Sequence, residues 1–247
     1  MTTTEFSNAF DTLLNSYSIS TTQGISQTIG GLTLDEYEKS LFLTQAQEQI
    51  VIELYTGRNI KSAAFEETEE LRANLRSLIK TETLLESSDN HKGISKYSKF
   101  FTLPKDLLFI TYEYATISDN KAGCKDNSDI IIIPVTQNEY YNVINNPFRQ
   151  SNDRRALRLD TGLNIVEIIS KYNITDYTIR YLSKPKPIIL ANLSENPNNE
   201  PDGSNKELSI NNISDKTECE LDSSIHPYIL ERAVALALAS RSIGNQK

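Results

Sequence analysis

Leu108-Phe109-Ile110-Thr111-Tyr112-Glu113-Tyr114, followed after the polar gap 118–129 by Ile130-Ile131-Ile132-Ile133, is the stretch whose pattern decides the fold. In the first run Leu108, Ile110, Tyr112 and Tyr114 alternate against Phe109, Thr111 and Glu113, the period of two that sends successive side chains to opposite faces of a strand. The second run is short and β-branched, and the gap suits a connection between antiparallel partners. Thr136-Gln137-Asn138-Glu139 then has the spacing of a capping box and opens a short inserted helix, which Asn145-Asn146-Pro147 ends. Further strands are predicted over 156–160, 164–170 and 177–182. The last extends through Lys184-Pro185-Lys186-Pro187 to Leu190, and its prolines assign it to a sheet edge, where a missing donor faces no partner.

Working towards the N-terminus, the period changes to that of a helix. Phe6, Phe10, Leu13, Leu14 and Tyr17 make one apolar stripe over 4–17. After a polar, Gly-punctuated loop or arm at 18–31, Thr33 and Glu36 stand at capping-box spacing before a helix predicted to reach Tyr55 and to stop at Gly57. A third helix is predicted over 65–80. Glu66, Glu67, Glu69 and Glu70 fall in its first turns, Arg72, Arg76 and Lys80 later, with Leu71, Leu75, Leu78 and Ile79 inward. A polar linker fills 81–96. Towards the C-terminus, 192–217 is rich in Asn, Ser, Glu and Asp and is expected to be a flexible loop. A last helix over 223–240 is apolar on most sides, so a neighbouring subunit is expected to supply part of its cover.

The element order predicts an α+β protein: N-terminal helices, a small antiparallel β-sheet with an inserted helix, and a C-terminal apolar helix. The division expected is a mainly helical section at 1–96 and an antiparallel β section at 97–247 closed by the last helix.

The chain has 247 residues, 38% of them hydrophobic, enough for a sizeable core. Its net charge is -8, which argues against a sequence-reading nucleic-acid binder with a strongly basic face. Met1-Thr2-Thr3-Thr4-Glu5-Phe6 lacks the basic start and apolar core of a secretion signal. The apolar runs 130–135 and 233–239 are too short for a bilayer. A soluble chain that stays in the cytoplasm where it is made, without a membrane partner, is the expectation.

Catalytic chemistry finds little to work with. No phosphate-cradling glycine motif, nucleophile elbow or H-E-x-x-H occurs. Cys124 and Cys219 are far apart and lack CxxC partners, and His91 and His226 are isolated, so reduced thiols and no zinc site are expected. The acidic loop 119–126 has Lys121 where a calcium loop needs oxygen. Glu66 and Glu70 lie one turn apart where a helix dipole alone accounts for them. The sequence therefore predicts no enzyme, catalytic residue, metal or cofactor. The rival from the enzyme class, a metal-dependent hydrolase built on Asp and Glu clusters, lacks a spaced ligand set.

One charge feature stands out. Arg149, Arg154, Arg155 and Arg158, with Arg180, Lys184 and Lys186 downstream, segregate positive charge on an acidic chain. Two readings stand: a subunit interface, joined by Leu236 of the last helix, or a solvated strand face.

An ordered series of short motifs then carries a resemblance: Phe101-Thr102-Leu103-Pro104-Lys105-Asp106-Leu107-Leu108, Ile133-Pro134-Val135-Thr136-Gln137-Asn138-Glu139-Tyr140, Asn146-Pro147-Phe148-Arg149, Arg154-Arg155-Ala156-Leu157-Arg158-Leu159-Asp160, and Ile179-Arg180-Tyr181-Leu182-Ser183-Lys184-Pro185-Lys186-Pro187. Cys219-Glu220-Leu221 and 226–241 continue it. The chain resembles head-tail connector adaptor and ring proteins of crAss-like tailed bacteriophages, and more distantly the tail tubular and portal-accessory proteins of short-tailed phages. The resemblance implies a virion protein of the tail or connector, one subunit of a dodecameric homo-oligomeric ring joining the portal protein to the neighbouring tail ring. Genome DNA would pass through its channel without specific binding. A tail-completion component and a cytosolic binding module are the alternatives.

Overall fold

The computed structural model describes residues 1–20, 34–58, 65–87, 92–95, 97–118, 127–162, 164–193 and 208–244. By contact they fall into two compact units, one made of Met1–Leu78 with Pro185–Lys247, the other of Ile79–Lys184. This grouping differs from the linear division at residue 96, because the chain returns to its first unit after the sheet is complete. Helices and a mixed seven-stranded sheet make the protein α+β.

In the Ile79–Lys184 unit the strands are β1 (Ile79–Leu84), β2 (Ser98–Thr102), β3 (Leu107–Ile117), β4 (Asp129–Pro134), β5 (Arg155–Gly162), β6 (Ile165–Ile169) and β7 (Ile174–Ser183). Their order is β1-β7-β3-β4-β5-β6-β2. Every strand contributes to one interior cluster, including Leu84, Phe101, Ala115, Ile130, Ala156, Val166 and Tyr177, so the sheet is curled around a single core. Phe101 and Tyr177 pack there at 5.2 Å between ring centroids, each large buried ring contributing on the order of 1.5–3 kcal/mol. A bridge between Glu86 and Phe101, with Ser87 N–H donating to Phe100 O at 2.7 Å, ties the chain just past β1 to β2 at the opposite end of the strand order.

The sheet is not wholly antiparallel. β4 and β5 run parallel, with Ile131 opposite Arg155 and Ile133 opposite Leu157. A parallel pair needs a crossover, and residues 135–154 supply it, containing α4 (Tyr140–Ile144). Val143 of α4 packs with Leu157, Leu159 and Ile169 on the outer face. The proline argument also fails for the strand before Lys184: β7 lies between β1 and β3, and it ends at Ser183, so Pro185 and Pro187 follow the sheet. β1 was hidden in the stretches assigned to a helix end and a linker, and β2 falls between that linker and the strand read around Leu108.

In the other unit, α1 (Thr3–Ser20), α2 (Glu36–Thr56), α3 (Glu69–Leu75) and α5 (His226–Gly244) form the framework, with α5 packed on α1 and α2. The capping box of α2 is made by Asp35 and Glu38, while Thr33 lies outside the described residues. Gly57 closes α2 at φ 76°, the left-handed conformation expected there. The third helix is shorter than its charge pattern suggests. Thr68 caps it, and it tightens into a 3-10 turn at Arg76–Leu78 before β1 begins.

Residues 185–193 run along α2 as an extended segment. Ser40, Thr44 and Gln47 stand one turn apart on α2. Leu190 N–H donates to Ser40 Oγ at 3.0 Å and Ile188 N–H to Thr44 Oγ1 at 3.1 Å, while Gln47 Nε2 donates to Lys186 O at 2.9 Å. On the segment's other side Ile189 and Thr217 exchange backbone bonds at 3.1 Å in each direction. Within the stretch 192–217, residues 194–207 lie outside the described residues. Its described C-terminal part makes a tight Ile210-Asn211-Asn212-Ile213 turn with both asparagines at positive φ and Ile210 buried.

Candidate assembly interface

The sheet's alternation settles where the basic residues point. On β3 Glu113, Ala115 and Ile117 face the interior and Tyr112 and Tyr114 face out; register shifts between Leu107 and Phe109 and between Ile110 and Tyr112 interrupt the strand's simple period. Tyr112 is opposite Arg180, Tyr114 is opposite Ile131, and Ile131 is opposite Arg155. Tyr112 and Ile131 are 52% and 57% exposed, and the two tyrosine rings lie 5.9 Å apart. An aromatic and aliphatic strip thus crosses the outer face of β3 and β4 with an arginine at either side. Such a strip beside positive charge has the composition of an association surface.

The crossover between β4 and β5 extends that surface. Phe148 is 84% and Tyr141 72% exposed. The loop presenting Phe148 is held by its own bonds: Phe148 N–H donates to Asn146 Oδ1 at 2.9 Å, Arg155 Nη2 to Phe148 O at 2.7 Å, and Arg154 N–H to Asn152 Oδ1 at 2.9 Å. Arg149 and Arg154 are exposed and Arg155 half-buried.

Arg158 does not belong to this surface. It points into the curled sheet, where Nη1 lies 2.8 Å from each oxygen of Glu113 and Nε lies 3.1 Å from Asp160 Oδ1. Tyr177 OH donates to Glu113 Oε2 at 2.5 Å. Burial raises the Glu113 pKa, against the opposing pull of Arg158 and Tyr177. Burial and then the neighbouring Glu113 carboxylate push the Tyr177 phenol far up. The strand alternation that puts Ala156 inside puts Arg158 there too.

Arg180 is exposed on β7, with Nε 3.4 Å from Thr81 Oγ1. Lys184 is exposed at the end of the same unit. Lys186 is exposed in the helical unit and ion-paired with Glu220 at 2.7 Å. Leu236 is half-buried on α5, between the buried Val234 and Ala237. The structure therefore brings together Arg149, Arg154 and Arg155 near the exposed strip and sets Arg180 at the strip's other side. Arg158 turns away from them into the sheet interior, and Lys186 and Leu236 belong to the helical unit.

The helical unit has its own concavity. α2, α3 and α5 border a groove of about 500 Å³ with Ile50, Leu54, Leu71, Ile225 and Ala235 along it, and Glu53, Glu70, Glu231, Arg232 and Tyr228 around it. Arg232 Nη2 donates to Glu53 Oε2 at 2.9 Å, leaving the lining acidic on balance. Sequence reading missed this groove and also missed Phe148 as a presented side chain. A large aromatic between Pro147 and Arg149 in a polar turn was the available signal, since loops run over the surface.

Among the described residues, no group of three or more His, Cys, Asp or Glu could hold a metal, and no helix is long and apolar enough to cross a membrane. Burial pushes the Cys219 thiol up to about 11, which keeps it a neutral thiol near pH 7. His91, Cys124 and the acidic loop 119–126 lie outside the described residues.

A family model described as phage tail ring protein 3/4 matches residues 1–247. The chain belongs to this phage tail ring protein family. Ring protein 3 of Bacteroides phage crAss001 is 45% identical over 243 residues, spanning 98% of this chain and 97% of that protein. Ring protein 4/5 of the same phage is 34% identical over 247 residues, 97% of this chain and 93% of that one. The match to ring proteins extends over the N-terminal helices as well as the motif series from Phe101 onward. This ring-family member is a structural component of a phage tail.

Proposed function

We propose that this chain is one subunit of a dodecameric ring that joins the portal to the tail and surrounds the genome channel. The observation that carries this reading is the full-length family match to ring proteins. The exposed strip of Tyr112 and Ile131, flanked by Arg155 and Arg180, supports it as a surface suited to contact with another subunit. A closed ring of identical subunits uses a heterologous interface, in which one face of each copy meets a different face of the next. Segregated charge serves that geometry, since complementary faces steer encounter and fix register. The net charge of -8 opposes binding to phosphates and keeps a channel non-adhesive to passing DNA.

Imaging of purified particles with copy counting tests the proposal. Twelvefold density for this chain between portal and tail is expected, and any other symmetry or position overturns it. Arg155→Glu with Arg180→Glu should weaken ring assembly and leave the monomer folded.

A further inference from the structure

Phe148 is the most exposed aromatic side chain among the described residues that is also fixed from behind, with its backbone bonded to Asn146 and Arg155. Holding an apolar ring in water on a braced loop is the arrangement of an anchor, because little ordering cost remains to be met on binding. Its loop carries Arg149, Arg154 and Arg155 against one carboxylate, Asp153, which Lys171 already holds at 2.9 Å. The groove between α2, α3 and α5 has the opposite character. Its apolar lining includes Leu54, Leu71 and Ile225, its volume is about 500 Å³, and Glu53, Glu70 and Glu231 stand around it together with Arg232, which is paired with Glu53.

We propose that Phe148 of one copy docks into the α2–α3–α5 groove of the next copy. The occupant is a second copy of this chain because loop and groove are complementary in charge and in kind, an aromatic anchor ringed by arginines and an apolar pocket ringed by glutamates. Two different faces are used, as a closed ring requires. The inference rests on the ring reading and adds the residues that make the contact.

The test uses the full chain with a photo-reactive benzophenone amino acid at position 148, followed by peptide mapping of cross-linked copies. Cross-links to peptides containing Leu54, Leu71 or Ile225 of another copy are expected. Copies that associate but cross-link elsewhere overturn the docking and leave the ring reading standing. A chain that stays monomeric up to about 1 mM overturns the docking, since a contact weaker than that is not specific recognition. The ring reading is then decided by the particle images alone.

Two variants separate docking from folding. Phe148→Ala should weaken self-association at least tenfold with an unchanged melting temperature. Arg154→Glu and Glu231→Lys should each weaken it, while mixing the two variants restores it by pairing reversed loop with reversed groove. Failure of the mixture to recover, or no loss in the single variants, removes the charge complementarity on which the proposal stands.

Discussion

Arg158 Nη1 sits 2.8 Å from both carboxylate oxygens of Glu113 inside the curled sheet, with both side chains about nine-tenths buried. Removing one partner leaves the other charge in a medium that solvates it badly. Arg158→Met should therefore cost about 3–5 kcal/mol in urea unfolding, and Glu113→Leu combined with it should recover most of that loss. An interface role for Arg158 predicts the reverse, lost assembly with an unchanged monomer.

His226 gives the helical unit a pH dependence. Its Nδ1 accepts from the Met1 amino group at 2.8 Å, its Nε2 lies 3.2 Å from Leu221 O, and Phe6 packs at 5.1 Å between centroids. Burial, then the positive amino group, lowers its pKa, while Leu221 O and Asp222 pull the other way. The neutral form is thus favoured on folding. Its contribution is complete above the unfolded value of ~6.5 and is lost as pH falls from there through the native pKa. His226→Gln should flatten the decline in melting temperature below about pH 6.5. An equally steep decline in the variant would assign the effect to other groups.

Gly93 has no room for a side chain. An added Cβ would overlap Ser98 Cβ and Oγ and lie 3.1 Å from Glu167 Oε1, the oxygen that accepts from Ile94 N–H at 2.7 Å and from Ser98 Oγ. Gly93→Ala should destabilise by about 1–3 kcal/mol, the range of overpacking. Hydrogen exchange should quicken first at Ile94 and Ser95.

The extended segment beside α2 depends on two hydroxyls. Thr44→Val removes the acceptor of a buried Ile188 N–H, and Ser40→Ala that of Leu190. Each should cost about 1–3 kcal/mol by chemical denaturation. Gln45→Ala, on the exposed side of the same helix, should change stability by less than about 0.5 kcal/mol.

The same hydroxyls mark the limit of sequence reading. Ser40, Thr44 and Gln47 are polar, so α2's pattern hides that this face is buried, and only the returning chain at 185–193 shows why. The helix α1 was legible because burial of one face leaves a mark every three to four residues, and the Ile130–Ile133 run because it is short and β-branched; the alternation in β3 marked a strand but not its faces, since Glu113 turns inward and Tyr112 outward. β1 was not, since most of its side chains stay out of the buried interior and its burial begins only at Leu84. Parallel pairing of β4 and β5 depends on where a crossover lands, which no local pattern encodes. Charge segregation pointed to the arginines, yet strand parity along β5 decided that Arg158 turns inward with Ala156 while Arg155 does not.

The bridge from Glu86 to Phe101 bears on how many copies can live side by side. Open strands at the two ends of the order would invite one chain to extend the sheet of another, a route to runaway polymerisation rather than counted assembly. Because Ser87 and Phe100 already satisfy each other there, that route is blocked locally along the bridged stretch. Along that stretch any contact between copies would fall to side chains, which saturate, and a particle that must stop at a fixed number of subunits needs contacts of that terminating kind.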